Sequence, residues 1–174
     1  MKNSKKWQIW GAVLTIVVGS LLHFVYGWSG EFKIVALFAA VNESTWEHLK
    51  LAFWPTFIFS IVEWLSFGQG VKNFCFATLC KLFSMPIIII ILFYGWLVFF
   101  PDNFIWDISI FIIAVIAGFI LGYKILDSKK QYNLETISAI LILLGLIKFS
   151  LFTYFPPHTF LTKDPINGGY GIEK

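Results

Sequence analysis

Five long apolar segments decide what this chain can fold into. They cover residues 7–27, 50–67, 74–100, 104–126 and 135–155, and 58% of the whole sequence is hydrophobic. A helix needs about 20 mostly apolar residues to cross the hydrocarbon layer of a bilayer. Each segment is close to that length, and a helix satisfies all of its own backbone hydrogen bonds in lipid. The expected fold is therefore all-α: a polytopic helical membrane bundle with about five transmembrane helices.

The segment between the first two apolar runs, residues 32–49, does not fit this scheme. Its apolar part, residues 34–41, is too short to span, and polar residues follow it directly. Such a segment forms a re-entrant or interfacial helix where protein covers it or where it lines a cavity. It could also be a sixth span with polar residues inside the bundle. Asn42 is a suitable N-cap for a helix that begins there. We expect five spans plus one re-entrant or interfacial helix.

Lysines set the expected orientation, since the sequence contains no arginine. Cytoplasmic loops of membrane proteins carry an excess of basic residues. With five spans and a cytoplasmic N-terminus, the cytoplasmic side holds Lys2, Lys5, Lys6, Lys72, Lys129 and Lys130. A sixth span would move three of these lysines to the outside. We expect residues 1–155 to form a transmembrane domain in the bacterial plasma membrane. Residues 156–174, rich in Pro and Gly, are expected to form an irregular extracytoplasmic tail.

The most polar part of the sequence is residues 42–48, Asn-Glu-Ser-Thr-Trp-Glu-His. On a helix, Glu43 and Glu47 share one face, and Ser44 and His48 share the next, because residues four apart lie one above the other. One interpretation is a capped surface helix with solvated charges. The other is a ligand-binding or catalytic cluster, because ionisable residues beside a membrane are costly to bury and often functional.

Three histidines are predicted to lie at one end of the bundle. His23 is near the end of the first span, His48 near the start of the second, and His158 just after the last. Neutral imidazole is a common metal ligand, and three histidines form a known zinc set that leaves one position open for water. The alternative is three unrelated interfacial histidines. A fourth ligand or a general base would come from nearby acids. The candidates are Glu43, Glu47, Asp107 and Asp164.

Three further charges fall inside the predicted spans. Glu63 and Lys81 lie near the inner ends, so each is expected to extend its charged group to the interface. Lys148 lies about seven residues, or roughly 10 Å, from the outer end of the last span. Because charges inside membranes are usually paired, we expect its ammonium group to form a salt bridge. The candidate partners are Asp107, Glu43 and Glu47.

Three strings of residues resemble a known family. They are Val41-Asn42-Glu43-Ser44-x-Trp46-Glu47-His48-Leu49-Lys50, His23-Phe24-x-Tyr26, and Asp164-Pro165 with Gly169-Tyr170-Gly171-Ile172. Together they resemble, over the whole chain, a family of small bacterial integral membrane proteins that is classified as a domain of unknown function. The resemblance implies a bacterial membrane protein and supplies no activity.

A second, weaker resemblance is to the seven-span metal-dependent membrane hydrolases that include alkaline ceramidases and adiponectin receptors. Those proteins carry a Ser-x-x-x-His pair, an Asp and a last-helix His-x-x-x-His pair around zinc. Ser44-x-x-x-His48 is similar to the first element. The last-helix pair has no counterpart here, where only His158 follows the fifth span. This resemblance implies a zinc ion and hydrolysis of a lipid-like substrate.

The most specific functional hypothesis is therefore a metal-dependent hydrolase at the outer face. The three histidines would hold zinc, Glu47 or Glu43 would activate water, and Ser44 would stabilise the developing oxyanion. Trp46, one of eight tryptophans, is expected at the membrane interface. The residues expected to bind the substrate are Asn42, Trp46, Asp107, Lys148 and Asp164.

Two other classes of function remain open. A substrate-binding or transport subunit would use the same residues for a small polar solute or ion, and it needs a polar route past Lys148 toward Glu63. A structural or immunity-type protein would use the polar stretch only to position helices. The lipid bilayer is an expected partner, and so is a small-molecule or lipid substrate. Nucleic acid is not expected, because phosphate and base recognition normally depends on Arg.

Overall fold

A computed structural model describes residues 4–172 and contains five long helices. They are α1 (Ser4–Trp28), α2 (Thr45–Glu63, extended by a π-helical turn, Trp64–Gly68), α3 (Phe74–Leu97), α4 (Phe104–Leu126) and α5 (Glu135–Tyr154). All five are long and apolar enough to cross a membrane. The expected all-α membrane bundle is confirmed, and the observed helices lie within a few residues of the predicted spans.

Successive helices run in opposite directions, so their ends gather at two levels. The rings of His23, near the end of α1, and His48, near the start of α2, lie 5.1 Å apart. At the other level Gln8 of α1 donates a hydrogen bond to Glu63 of α2. We call the first level the histidine end and the second the amino-terminal end.

Helix α2 lies at the centre of the bundle and is the most buried of the five. Its fully buried Phe53 packs against Phe149 of α5, with ring centroids 4.3 Å apart, and against Phe83 of α3 at 6.0 Å. One and a half turns later, Phe59 packs against Phe119 of α4. Polar side chains on α2 therefore face protein rather than lipid, which allows this helix to carry buried charges.

Glycines allow the helices around α2 to approach closely, as is common in membrane bundles. A Cβ atom at Gly19 of α1 would lie 2.4 Å from the carbonyl oxygen of Leu51. Pro55, four residues after Leu51, has no N–H to donate to that carbonyl. The backbone of α1 thus packs at the position where the α2 hydrogen-bond ladder is interrupted. On α4, a Cβ at Gly122 would lie 2.4 Å from Lys81 Cγ, so this glycine makes room for the lysine stem.

The structure differs from the prediction in the segment that joins α1 to α2. The expected separate re-entrant or interfacial helix at residues 32–49 is wrong, because residues 32–44 hold only a three-residue 3₁₀ turn, Val35–Leu37. Of the polar stretch, residues 45–48 belong instead to the first turn of α2, which begins at Thr45, and residues 42–44 precede the helix. The second span is consequently longer than predicted, and it brings its polar residues into the bundle.

Side chains of α2 explain why this segment does not need a helix of its own. The Lys50 ammonium group donates to the carbonyl of Ala36 at 2.8 Å. The Glu47 carboxylate accepts from the N–H of Val41 at 3.1 Å. Buried backbone groups must be hydrogen-bonded, and here two buried charges satisfy them.

Residues 155–172 fold back over the histidine end as an irregular segment that we call the tail. The carbonyl of Leu161 accepts from the N–H of Trp46 at 2.8 Å, and the carbonyl of Gly171 accepts from the Asn42 side chain at 2.9 Å. The tail is thus attached to the start of α2 at two points.

Candidate functional site

The start of α2 is fixed by Ser44, which is its N-cap. The Ser44 hydroxyl accepts from the N–H of Glu47 at 3.4 Å. Asn42, the predicted N-cap, instead accepts from the N–H of Ser44 at 2.9 Å and forms a turn before the helix. The prediction was wrong because Ser44 and Glu47 already form the Ser-x-x-Glu pattern of a capping box. Glu43 therefore lies outside the helix and does not share a helical face with Glu47.

This turn brings Glu43 to two of the three histidines. Nε2 of His23 lies 3.8 Å from one Glu43 carboxylate oxygen, and Nε2 of His48 lies 3.4 Å from the other. One nitrogen or oxygen atom from each residue lies within 4.8 Å of the other two. We call these three residues the His–Glu cluster. Its members come from the end of α1, the turn before α2 and the first turn of α2, so the antiparallel helix pair assembles it.

The orientation of the His48 ring restricts what can lie between it and Glu43. Nδ1 of His48 lies 3.0 Å from the carbonyl oxygen of Ser44. A carbonyl only accepts, so Nδ1 carries the hydrogen. In the neutral ring, Nε2 then presents a lone pair to the carboxylate oxygen 3.4 Å away. Two acceptors facing each other repel, so a proton or a metal cation is needed between them. This arrangement, with Nδ1–H held by a backbone carbonyl, is also the usual support of a metal-ligating histidine.

Glu43 supplies the negative charge of the cluster. Its pKa lies below its ordinary range, chiefly because of a hydrogen bond from His48, and the charges of His48 and His23 act in the same direction. Partial burial opposes this effect without reversing it. At neutral pH the residue is therefore a carboxylate, which is the form that binds metal ions.

Asp107 lies beside the cluster without being part of it. It stands in the first turn of α4 and interacts electrostatically with His48. Its Oδ1 atom is buried and has no hydrogen-bond partner among residues 4–172. Buried polar atoms are rarely left unsatisfied, so an unpaired carboxylate oxygen on a residue that interacts with His48 is a feature that needs explanation.

A cavity of about 250 Å³ opens between the tail, the end of α1 and the segment before α2. Its wall includes Tyr26, Asn42, Glu43 and Asp164. We call it the tail cavity. Asp164 is nearly fully buried, and its carboxylate accepts from the N–H of Ile166 at 2.9 Å, so it also shapes the turn of the tail. Because Glu43 lines the cavity and belongs to the His–Glu cluster, the two features share one wall.

Glu47 takes part in a separate buried network. Its carboxylate forms a salt bridge with Lys50 one turn later, and both side chains are almost completely buried. Thr153 of α5 accepts from Lys50 at 2.7 Å and donates to Glu47 at 2.9 Å. Sequence reasoning missed this pair, although the Glu-x-x-Lys spacing is a signal for it. Glu47 therefore has no carboxylate oxygen free to approach the His–Glu cluster.

Two predicted site residues lie elsewhere. The ring of His158 stacks on Tyr170 within the tail, with centroids 4.2 Å apart, and His158 is not part of the group of potential metal ligands. Trp46, expected at the interface, is 9% exposed and stacks on Phe149 of α5 at 4.7 Å. It belongs to the core. Sequence position placed both residues at the correct level but could not place them around the axis of the bundle.

The predicted salt bridge of Lys148 is wrong. Its side chain is exposed, and its ammonium group lies over the ring of Phe152, 5.3 Å from the centroid. Within the described chain no acid lies within salt-bridge distance of it. The physical reason is that Glu47 is already paired with Lys50 on the inside of the bundle, whereas Lys148 lies on the outward face of α5.

A second polar cluster, also missed, lies at the amino-terminal end. Lys81 of α3 and Glu63 of α2 form a salt bridge of 2.7 Å, and both are fully buried. Gln8 of α1 donates to the other carboxylate oxygen. Each charge was expected to extend to the interface, and both predictions were wrong because the two residues lie at the same depth on adjacent helices. Buried polar atoms near this pair have no partner within residues 4–172: Gln8 Oε1, Ser60 Oγ and Thr78 Oγ1.

Comparison with known proteins identifies a family but no activity. The chain matches one family, described as "Family of unknown function (DUF6512)", over residues 1–172. No curated protein and no solved structure matches it. The match covers nearly the whole chain, in agreement with the family resemblance of its sequence motifs. The protein is thus a member of the family of unknown function DUF6512, with five helices able to cross a membrane.

Proposed function

We propose that this protein is a metal-dependent membrane hydrolase whose His–Glu cluster binds one zinc ion. The observation that carries the proposal is that two imidazole nitrogens face the two oxygens of one carboxylate, at 3.8 and 3.4 Å. Two histidines and one glutamate form a set of ligands found in catalytic zinc sites, which leave a position open. Of the three histidine ligands expected from sequence, His23 and His48 are kept, and Glu43 takes the place of His158.

Three features fit a zinc ion in this position. Nδ1 of His48 is already committed to the carbonyl of Ser44, which fixes the ring with Nε2 toward Glu43. Glu43 is held as an anion by its surroundings. The cluster is only partly buried and adjoins the tail cavity, so an ion can enter it. Site orientation by an outer hydrogen bond, a deprotonated ligand and an entry path are requirements of a metal site.

A zinc ion held here would supply Lewis-acid activation of water and of an ester or amide carbonyl. The residues of the chain would supply the rest. Asp107 has a buried oxygen without a partner, which suits it to accept a proton near His48. Glu47 and Ser44, expected from sequence as base and oxyanion donor, are instead engaged in the Lys50 network and in capping α2. Asp107 is therefore the proposed general base.

Metal analysis of the purified protein tests the zinc site. We expect about one zinc per chain in the wild type after equilibration with zinc, from the single cluster of ligands. His48→Gln and His23→Gln should lose most of it. His158→Gln is the matched control, because it also removes a histidine at this end and should keep full zinc content. Equal zinc in all four proteins, or none in the wild type, would contradict the proposal.

Activity is tested separately, in proteoliposomes that contain zinc-loaded protein and bacterial total lipid. Mass spectrometry of the extracted lipids should show a hydrolysed lipid with the wild type and with His158→Gln. Asp107→Asn should lose turnover while it keeps zinc, since Asp107 is outside the cluster of ligands. Loss of zinc in Asp107→Asn would show that this residue is a ligand rather than a base.

Transport is the second candidate, and one observation favours it: a polar contact between α1 and α2. The hydroxyl groups of Thr15 and Thr56 lie 3.3 Å apart, between the histidine end and the buried Glu63. Toward the histidine end, the α2 residues Leu49 and Phe53 are apolar and almost completely buried. A transporter needs a polar route past Lys148 toward Glu63, and these apolar residues do not support one, so the hydrolase is preferred.

A further inference from the structure

An apolar groove lies beside the tail cavity, between α1 and α2. It has a volume of about 300 Å³, and all of its lining residues are apolar. Val18, Leu22 and Val25 form the α1 wall, because residues three and four apart share a helix face. Trp54 and Ile58 belong to the α2 wall.

The groove lies at the level of the lipid acyl chains in a bilayer. Val25 is three residues from the end of α1 and Val18 is ten, which places them about 5 and 15 Å below the histidine end at 1.5 Å per residue. Ile58, 52% exposed, opens the groove to the surroundings of the bundle. At this depth in a membrane-spanning bundle, the available apolar occupants are the acyl chains of the bilayer.

The groove and the tail cavity meet along the same stretches of chain. Leu22 lines the groove, and Tyr26, one turn later on the same face of α1, lines the cavity. In the segment before α2, Phe38 lines the groove and Val41 lines the cavity. An apolar space within the bundle therefore adjoins a polar space at its end. Together they match the shape of one amphiphilic molecule that lies parallel to the helices.

The lining of the tail cavity indicates the headgroup. It contains three acidic side chains, Glu31, Glu43 and Asp164, and no basic side chain. Such a wall favours a headgroup that donates hydrogen bonds and carries no net negative charge. We propose that α1 and α2 bind one bilayer lipid of this kind, with an acyl chain in the groove and the headgroup in the tail cavity. That this lipid is the substrate rests on the proposed function, but its binding does not.

Photo-crosslinking in proteoliposomes tests the binding. Three single-chain probes share one diazirine-labelled acyl chain and differ in the headgroup, which is an ammonium, a hydroxyl or a phosphate. We expect the first two to label peptides from α1 and α2, and the phosphate probe to label them several-fold less. A chain-free ammonium compound should not compete. Equal labelling by the phosphate probe overturns the headgroup assignment, and full competition by the chain-free compound overturns the role of the groove.

Two tryptophan substitutions on the same helix provide the variant and its control. Val25→Trp fills the groove and should lose α1 labelling, whereas Val17→Trp, at a position 54% exposed and outside the groove, should keep it. If Val25→Trp does not fold, Ile58→Trp obstructs the opposite wall at an exposed position. Undiminished labelling in the folded groove variant overturns the proposal.

Zinc content separates this inference from the proposed function. Val25→Trp should keep its zinc while it loses labelling, and His48→Gln should lose its zinc while it keeps labelling. Loss of labelling in His48→Gln would show that the lipid is bound through the metal and would overturn the groove as an independent binding site.

Discussion

The two buried ion pairs of α2 use the same chemistry to hold together different kinds of structure. Glu47 and Lys50 pair within one helix at the histidine end, and their other hydrogen bonds go to α5 and to backbone groups of the irregular segment before α2. Glu63 pairs with Lys81 of α3 at the opposite end, and its other bond goes to a side chain of α1. The first pair organises a loop, whereas the second joins helices only.

This difference shows when a buried charge can be replaced. A well-packed apolar substitute often replaces a buried ion pair without loss, because the pair's attraction barely offsets its desolvation. That applies where the partners of the pair are side chains that can be changed together. It does not apply where the charges also satisfy backbone groups, because no substitution removes a peptide group. The loop-binding pair should therefore be essential, and the helix-joining pair replaceable.

The largest effect is expected from Lys50→Met. It leaves the Glu47 carboxylate buried without its cation, and removes the donor of the Ala36 carbonyl. Breaking a buried pair in this way costs about 3–5 kcal/mol. The free energy of unfolding in mixed detergent micelles measures it, with Lys148→Met as the exposed-lysine control. A loss below about 1 kcal/mol, the range of surface pairs, would contradict the burial of this pair.

The paired replacements test the comparison directly. Glu63→Leu with Lys81→Met and Gln8→Leu removes the whole helix-joining cluster, and its stability should return close to wild type. Glu47→Leu with Lys50→Met should stay destabilised by about 1–3 kcal/mol for each backbone group left unpaired. Equal recovery at both ends would remove the distinction between the two pairs.

An intermediate effect is expected from Gly122→Val on α4. A Cβ at this position would lie 2.4 Å from Lys81 Cγ, so the lysine stem or α4 has to shift. Overpacking of this kind costs about 1–3 kcal/mol. Gly95→Val is the matched control, because nothing lies within 4 Å of a Cβ there. Zinc content should not change, since Lys81 and Glu63 lie at the opposite end from the His–Glu cluster. Loss of zinc would show that the two ends are coupled.

A smaller effect is expected from acidification. The pKa of Glu43 in the folded protein is lowered, so its carboxylate stabilises the fold above the ordinary Glu pKa of about 4.3. That contribution is lost as pH falls through the lowered value. The Glu43–His48 pair is partly exposed, so the loss of unfolding free energy is at most about 1 kcal/mol. Unfolding free energies of wild type and Glu43→Gln at successive pH values measure it. The two should converge at low pH, and parallel curves would contradict the ion pair.

The smallest effect is expected from Lys148→Met, because Lys148 belongs to neither of the two buried ion pairs. Its ammonium group contacts only the ring of Phe152 among the described interactions, and an exposed cation–π contact contributes about 0.5–1 kcal/mol. The same unfolding measurement checks it, with Phe152→Leu as a second way to remove the contact. A loss as large as that of Lys50→Met would indicate an acidic partner at this position.

The sequence predicts features that depend on the length of the apolar segments, namely the number of spans and the depth of each residue. It does not predict the direction in which a side chain points around its helix axis. Runs of about 20 apolar residues gave five spans because hydrocarbon thickness sets that length. His23 and His48 were placed together for the same reason, through depth. Lys148 and His158 were placed at the right depth too, but one faces outward and the other stacks within the tail. Apolar residues surround every face of these helices, so the pattern that would reveal rotation is absent.

Some missed features did leave a signal in the sequence. Glu63 lies five residues before the end of its helical segment and Lys81 seven after the start of α3, so two charges of opposite sign lie at similar depths on consecutive helices. Gln8 lies at a similar depth on α1. Depth matching identifies these three residues as candidate partners, and rotation about the helix axes decides that they meet. Glu43, the proposed zinc ligand, left a weaker signal, because only the competition between Asn42 and Ser44 for the N-cap decides that it lies outside the helix.

The attachment of the tail to the start of α2 has a consequence for biosynthesis. The N–H of Trp46 and the side chain of Asn42 find their partners at Leu161 and Gly171, more than 100 positions later in the chain. During translation these two donors beside the His–Glu cluster therefore stay without their partners until α5 has entered the membrane and the tail has been made. Insertion of the helices and completion of the site are separate events, and a nascent chain stalled after α5 would be a membrane protein without a finished tail cavity.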